Sequence, residues 1–295
     1  MTLQILEIIF PIFAIVFIGL VYGKRFSPDM SLPNRLNIDV FIPALLFAVL
    51  TRHAAQAGFY LDLALAAILV VIGSGLITWP ITKLLKIDPK TLCPPMMFVN
   101  AGNMGLPLMV MAFGEQAFPA AVVVFLIGNF LHISLGSYIL DHRSHILDVI
   151  TSPMMIAVML AILVSVLGIT LPATVMKPIE LLGQICVPLM LFSLGVRLAD
   201  VNFSDWRLGI LATILCPLVG TLLVLILLPF FEMTKTQQGV LFMFGALPPA
   251  VLNFMFAEHY DQEPDRVAAI VLISNAFALI TIPLALVYAL PKFGL

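Results

Sequence analysis

Ten apolar runs, most of them about 20 residues long, fill nearly the whole chain. They lie at 3–22, 34–51, 61–82, 91–113, 117–140, 148–168, 176–196, 208–230, 237–257 and 266–290. A helix of about 20 apolar residues crosses the hydrocarbon core of a bilayer. The runs are continuous, whereas a membrane β-barrel needs alternating strands of about ten residues. Lipid offers no partner to open backbone groups, so the expected fold is an all-α membrane protein of ten transmembrane helices. The segments between runs, such as 83–90 and 258–265, are short and polar, and none is long enough for a soluble domain.

Composition closes off the alternatives. Hydrophobic residues make up 62% of the 295 and charged residues 10%, against about 25% charged in soluble domains. A water-soluble enzyme of this length could not bury so much apolar surface. A secreted disulfide scaffold and a disordered chain are excluded with it. The net charge of −2 comes without a basic block, so nucleic acid is no partner. Cys93, Cys186 and Cys216 are far apart in apolar runs, which suits buried small residues rather than a metal site. No metal and no cofactor is expected. The first run has no Lys or Arg before it, contains Glu7 and Pro11, and is followed by Lys24 and Arg25. That is the reverse of a cleaved signal, so it reads as the first membrane helix.

Ten crossings put both termini on one side. With the termini outside, the inner face holds Lys24, Arg25, Arg35, Lys83, Lys86, Lys90, Arg143, Arg197, Arg207 and Arg266, and the outer face Arg52, Lys177, Lys235 and Lys292. Ten cations against four favour this orientation in the cell (inner) membrane. Trp79 and Trp206 then both fall at the inner interface.

A shift of 145 residues superimposes Pro43, Phe47 and Arg52 on Pro188, Phe192 and Arg197, Gly75 on Gly220, and Ala101 on Ala246. It also aligns the fourth helix with the ninth. A five-helix unit crosses the membrane an odd number of times, so its copy inserts upside down. The expectation is two inverted repeats, 1–145 and 146–295.

Both aligned helices carry breaking residues at mid-span. The fourth contains Asn100-Ala-Gly-Asn-Met-Gly-Leu-Pro107 and the ninth Gly245-Ala-Leu-Pro-Pro-Ala-Val-Leu-Asn253. Proline removes a backbone donor and glycine admits unusual backbone angles, so each stretch should unwind. Unwound backbone at membrane depth is tolerated only where protein buries it or a cavity hydrates it. Pro107, and Pro248 with Pro249, should then open the second half-helices, whose amide ends favour an anion. The amides of Asn100, Asn103 and Asn253 could donate to a carboxylate without carrying charge. The candidate substrate-binding residues are Asn100, Asn103, Met104, Pro107, Pro248, Pro249 and Asn253. The competing reading is a pair of proline kinks that serve packing alone.

The first of these motifs resembles the first crossover of the auxin efflux carrier family, whose plant members are the PIN carriers. Ala246-Leu-Pro-Pro-Ala, followed by Phe254-Met-Phe-Ala-Glu-His-Tyr260 and Pro264-Asp265, is similar to the second crossover and its exit loop. Phe192-Ser-Leu-Gly195 also fits. Plant members carry a long loop between the halves, and the short one here, about 141–147, resembles a prokaryotic member. The resemblance implies a fold like that of sodium/proton antiporters and bile-acid symporters. Helices 1, 2, 6 and 7 would form a scaffold, and helices 3–5 and 8–10 a moving core that holds the crossed, broken helices 4 and 9. It implies an organic-anion substrate, either an auxin-like monocarboxylate or a malonate- or malate-type dicarboxylate. It also assigns Asn100 to substrate binding.

Polar residues elsewhere inside the membrane are candidates for coupling or support. Asp39 could take a proton or help bind a cation, or could pair with Arg35 one turn away. His132 could carry a coupling proton or bond to a neighbouring helix. Asn129 and Asn275, 146 residues apart, could close polar contacts around the crossover or join helices. The coupling ion, if there is one, would be sodium or a proton. His142, Arg143, His145 and Asp148 read as a solvated loop, and Glu258, His259, Asp261, Glu263 and Asp265 as an exposed acidic turn. No His-Glu-x-x-His, Walker A or Gly-x-Ser-x-Gly motif occurs, so hydrolysis and ATP-driven pumping have no support. The expected function is a secondary or electrogenic carrier of a small organic anion with an elevator-type cycle. The alternatives are an ion-coupled, bile-acid-like symporter and a membrane receptor that does not transport. Expected partners are the anion, the lipid bilayer and a second copy bound through the scaffold helices.

Overall fold

The computed structural model describes residues 2–53, 60–141, 151–199 and 205–294. The loop cluster of His142, Arg143, His145 and Asp148 lies outside the described residues. Helix α1 spans Thr2–Phe26, and α2 (Ser31–Leu36) runs through a π turn at 37–41 into α3 (Ile42–His53). Then come α4 (Leu61–Leu85), α5 (Pro89–Met97) and α6 (Leu106–Phe113). Helix α7 (Phe118–Leu131) continues through a second π turn, His132–Gly136, into α8 (Ser137–Leu140). The rest comprises α9 (Pro153–Val166), α10 (Ala173–Leu198), α11 (Trp206–Leu227), α12 (Lys235–Ala246), α13 (Leu252–His259) and α14 (Pro264–Phe293).

Among the described residues, seven helical stretches are long and apolar enough to cross a membrane. They are Leu3–Phe26, Ser31–Thr51, Leu61–Leu85, Glu115–Leu140, Ala173–Leu198, Trp206–Phe230 and Pro264–Phe293. At 1.5 Å per residue, α1 is about 37 Å long, more than the hydrocarbon thickness of about 30 Å. Two more of the ten apolar runs are interrupted, one between α5 and α6 and the other between α12 and α13. The described part of the remaining run is the shorter helix Pro153–Val166. The protein is thus an all-helical, multi-pass membrane protein. Its exposed large side chains, among them Phe10, Phe17, Leu76, Leu163, Ile214 and Leu284, are apolar as lipid requires.

Two compact units each draw on both halves of the sequence. The smaller comprises Ala14–Leu61 and His145–Ala199. In it α3 packs on α9 and α10, while α1 meets α10 through glycines. A Cβ on Gly19 would lie 2.2 Å from the carbonyl oxygen of Phe192, and one on Gly195 2.0 Å from that of Val16. Lipid is as apolar as leucine, so helices in a bilayer associate through such close approaches rather than through hydrophobic exclusion from water. Between α1 and α2 the Asp29 carboxylate accepts from the Ser31 amide at 2.8 Å and its hydroxyl at 2.9 Å. Those bonds hold its pKa below the ordinary aspartate value.

The larger unit comprises Met1–Phe13, Asp62–Ser144 and Asp200–Leu295. Helix α11 packs on α12 and α14, and Leu92 and Met96 of α5 join Leu208, Ala212, Cys216 and Ile270 in one buried cluster. Here too glycine sets the approach. A Cβ on Gly220 of α11 would sit 2.1 Å from the Gly245 carbonyl oxygen of α12, and one on Gly75 of α4 2.5 Å from the Met97 sulfur of α5. The helix preceding each interrupted span therefore offers a glycine to that span. The expected acidic turn is only partly a free loop. Glu263 accepts from the Thr91 hydroxyl and from Arg266 at 2.9 Å, and Arg266 also reaches Asp205 at 3.0 Å. Glu263 thereby ties the start of α5 to the start of α14.

Candidate substrate site at the paired breaks

Each broken span begins on a built cap. Asp88 accepts from the Lys90 amide at 2.8 Å, with Pro89 in the first turn of α5. Thr234 and Gln237 form a reciprocal capping box that opens α12. Both half-helices then stop inside their apolar runs. Helix α5 ends at Met97, and Phe98 turns extended (φ −107°, ψ 99°). Helix α12 ends at Ala246 because Pro248 follows: the residue before a proline is pushed out of the helical region, and Leu247 has ψ 149°.

The two breaks solve their backbone problem by pairing with each other. Val99 lies opposite Pro249 in an antiparallel bridge. The Asn100 amide donates to the Pro248 carbonyl at 2.8 Å, and the Ala250 amide to the Phe98 carbonyl at 2.9 Å. This answers the requirement that buried backbone in lipid find internal partners. It also corrects the expected place of the tandem prolines. Pro107 does lie in the first turn of α6. Pro248 and Pro249, however, belong to the extended crossing stretch, and the half-helix after it starts only at Leu252. Two consecutive prolines hold an extended segment better than a helix start, because the second restricts the first.

Side chains reinforce the pairing. Asn253 donates through Nδ2 to the Phe98 carbonyl at 2.9 Å and to the Ala250 carbonyl at 2.9 Å. Asn275 of α14 accepts from Asn100 Nδ2 at 2.8 Å and donates to the Pro249 carbonyl at 2.8 Å. Cys216 Sγ faces the Pro95 and Leu247 carbonyls at 3.8 and 3.6 Å. The amides of Asn100 and Asn253, expected to face a carboxylate, are therefore spent on the crossing itself. What stays free is backbone. Among the described residues no acceptor occupies the amides of Gly102 and Asn103 at the first turn after one break, or those of Val251 and Leu252 after the other. The side chain of Asn103 is half-buried, and Met104 and Pro107 are buried in the turns that follow. Four unspent N–H groups at two helix starts form an electropositive locus without formal charge.

Below the crossing, a small cavity is lined by Lys90, Pro94, Pro95, His132, Gly136, Leu140, Asn253, Phe256, Ala257 and Val267. His132 is buried there, stacked on Phe98 at 4.3 Å and edge-on to Phe256 at 5.1 Å. Lys90, which sequence reasoning counted only as a loop cation, donates to the Leu140 carbonyl at 2.9 Å. The one hint to it was its place two residues after a capping aspartate. Asn129 is half-buried in α7, three residues before His132. Asp39 lies in the other unit, partly exposed, and its nearest cation is Arg35 at 3.4 Å, the interfacial pair that sequence spacing offered as one reading.

Comparisons with known proteins point to membrane transport. The membrane transport protein family matches residues 141–286, which contain the second break. An uncharacterized transporter of Methanocaldococcus jannaschii is 22% identical over 95% of this chain and 97% of its own. The uncharacterized transporter YfdV of Escherichia coli K12 is 23% identical over 93% of this chain and 94% of its own. Helices and similarity together define a multi-pass membrane transport protein. Within that class its two crossover motifs resemble those of the auxin efflux carrier family.

Proposed function

We propose that this protein is a secondary carrier of small organic anions, auxin-like monocarboxylates or malonate- and malate-type dicarboxylates, and that it holds the substrate carboxylate at the paired breaks. The observation that carries this reading is the set of unspent amides at Gly102, Asn103, Val251 and Leu252 beside a crossing whose other polar groups are mostly committed. Ends of half-helices attract anions without the desolvation cost of a buried cation. The reading includes ten helices in two inverted five-helix repeats and an elevator-type cycle. The glycines received by each broken span, 145 residues apart, support the repeat. The elevator is supported by the partition into two units, one holding the third to fifth and eighth to tenth spans and the other most of the first with the second, sixth and seventh. The excess of Lys and Arg on the side assigned to the cytoplasm, ten against four, supports termini outside.

The test is uptake of radiolabelled malonate and indole-3-acetate into proteoliposomes. The parent should exchange at least one of them in counterflow, which a receptor that only binds would not do. Asn103→Ala and Asn100→Ala should reduce exchange, the first by loss of a donor and the second by loosening the crossing. Parent-like exchange in both variants would discard the site.

A further inference from the structure

We propose that His132 is a proton-binding residue and that Asn253 relays its charge state to the paired breaks. The argument starts from Asn253, whose orientation is fixed. Its Nδ2 end meets two carbonyls, Phe98 and Ala250, so the acceptor end must point the other way. That Oδ1 is buried and has no partner, and neither has Nε2 of His132. Each residue is only 3% exposed, and both line the same cavity. Two buried side-chain atoms without partners in one cavity are unusual beside a crossing whose other side-chain amides are tied.

An Asn253 oxygen can only accept. The missing element is a donor, and the cavity has room for about one water molecule. A proton on Nε2 supplies the donor directly, and a water supplies it at one remove. In the protonation step a proton from the aqueous phase adds to the Nε2 lone pair, no bond breaks, and the new N–H donates to Oδ1. The imidazole cannot turn away from this duty. Phe98 covers one face with an interplanar angle of 8°, and Gly136 lies so close that a Cβ there would be 3.0 Å from His132 Cδ2. The π turn that begins at His132 is the distortion that brings the ring there, and such bulges accompany functional sites in other helices. Among the described residues lining the cavity the only other charged group is Lys90, held by the Leu140 carbonyl, and there is no carboxylate. Asn253 bonds both breaks, so a new donor at its oxygen alters the clamp on the Phe98 and Ala250 carbonyls. This rests on the carrier reading above, in which a bound proton offsets one charge of the anion.

Hydrogen exchange by mass spectrometry tests the link without a substrate. With intrinsic pH effects corrected, parent protein in lipid nanodiscs should change protection over 98–105 and 248–255 by about threefold or more between about pH 5 and about pH 8. His132→Gln keeps a permanent donor toward Asn253 and should fix protection at one value, while His132→Leu should lower it at every pH. Flat parent behaviour, or a His132→Gln profile like the parent's, overturns the proposal. Should His132→Gln not fold, ¹⁵N-imidazole resonances of the parent decide the matter. A buried ring that changes protonation together with the exchange supports the proposal, and one that does not refutes it. Absence of malonate or indole-3-acetate transport alongside a positive exchange result would count against the carrier reading only.

Discussion

Replacing Asn275 with leucine removes an amide that reaches both breaks from a third helix. Leucine keeps the forked four-atom shape, so the main cost is polar, with a smaller one from its bulkier methyl groups. Two groups lose their partners: Asn100 Nδ2, now bonded at 2.8 Å, and the Pro249 carbonyl, also at 2.8 Å. The bond from Asn275 to Val271 lies within α14 and adds little, because a helix carbonyl there already has its backbone partner. Orphaning a buried polar group costs about 1–3 kcal/mol, but hydrogen bonds between membrane helices average only about 0.6 kcal/mol. Two lost partners therefore bracket the effect between about 1 and about 6 kcal/mol. The upper half is favoured because Asn100 is buried where water cannot replace the lost bond. The assay is reversible unfolding in mixed micelles, run on Asn275→Leu, Asn100→Leu and the double variant. Each single variant orphans the other's amide, so the double should cost less than the sum by about 1 kcal/mol or more. Additive costs, or an Asn275→Leu variant within about 0.5 kcal/mol of the parent, would refute the idea that this asparagine staples the crossing.

Gly220→Ala should cost about 1–3 kcal/mol of stability and lower the yield of folded protein, because its Cβ would meet the Gly245 carbonyl at 2.1 Å; normal melting by circular dichroism would contradict that packing. Glu263→Gln should cost no more than about 1 kcal/mol, since the ion pair with Arg266 is part-exposed and glutamine still offers the buried Thr91 hydroxyl an acceptor, and the loss should shrink in high salt. For orientation, a cysteine at Lys86 should react with a membrane-impermeant maleimide only from the cytoplasmic face and one at Lys177 only from outside, and the reverse pattern would overturn the assigned topology. If one proton accompanies a monocarboxylate, an imposed 100 mV should leave its accumulation unchanged, whereas uncoupled movement would be biased by about 2.3 kcal/mol, roughly fiftyfold; flux measured under a potassium diffusion potential separates the two.

The parts legible in the sequence are those that depend on a few residues in a row. Twenty apolar residues must be a span, and Pro248-Pro249 must end a helix, whatever lies nearby. The break at 247–250 was therefore visible, and so was the first-turn place of Pro107, whereas the first break lies at 98–100, at the edge of the expected 100–107, most of which is helical. Where each amide would point was not visible, because that depends on partners 155 to 175 residues away: Asn253 with Phe98, and Asn100 with Asn275. Sequence reasoning gave those amides to the ligand because it could see the donors and not the carbonyls waiting for them. Lys90 was misjudged for the same reason, and Thr91 was not singled out at all. Lys90 ends a short polar connection and Thr91 begins an apolar run, and only the fold brings Leu140 and Glu263 to them. The shift of 145 residues was a partial substitute for tertiary knowledge, since it pointed to the two glycines that receive the broken spans.

Spending side-chain amides on the crossing and leaving backbone amides unspent has a physical logic for a carrier. A site that must face water on each side of a membrane in turn has to survive repeated hydration and dehydration of its ligand. Buried lysine or arginine would bind an anion more strongly, but an empty site would then carry an unpaired charge through the low-dielectric interior at a cost of several kcal/mol. Peptide N–H groups at helix starts carry only partial charge, so the empty site can return without a counter-ion. The requirement in exchange is rigidity, because N–H groups on unwound backbone hold a carboxylate only if the unwound segments keep their geometry. That is the work assigned to Asn100, Asn253 and Asn275, and the reason their removal should damage transport even though none of the three needs to touch the anion.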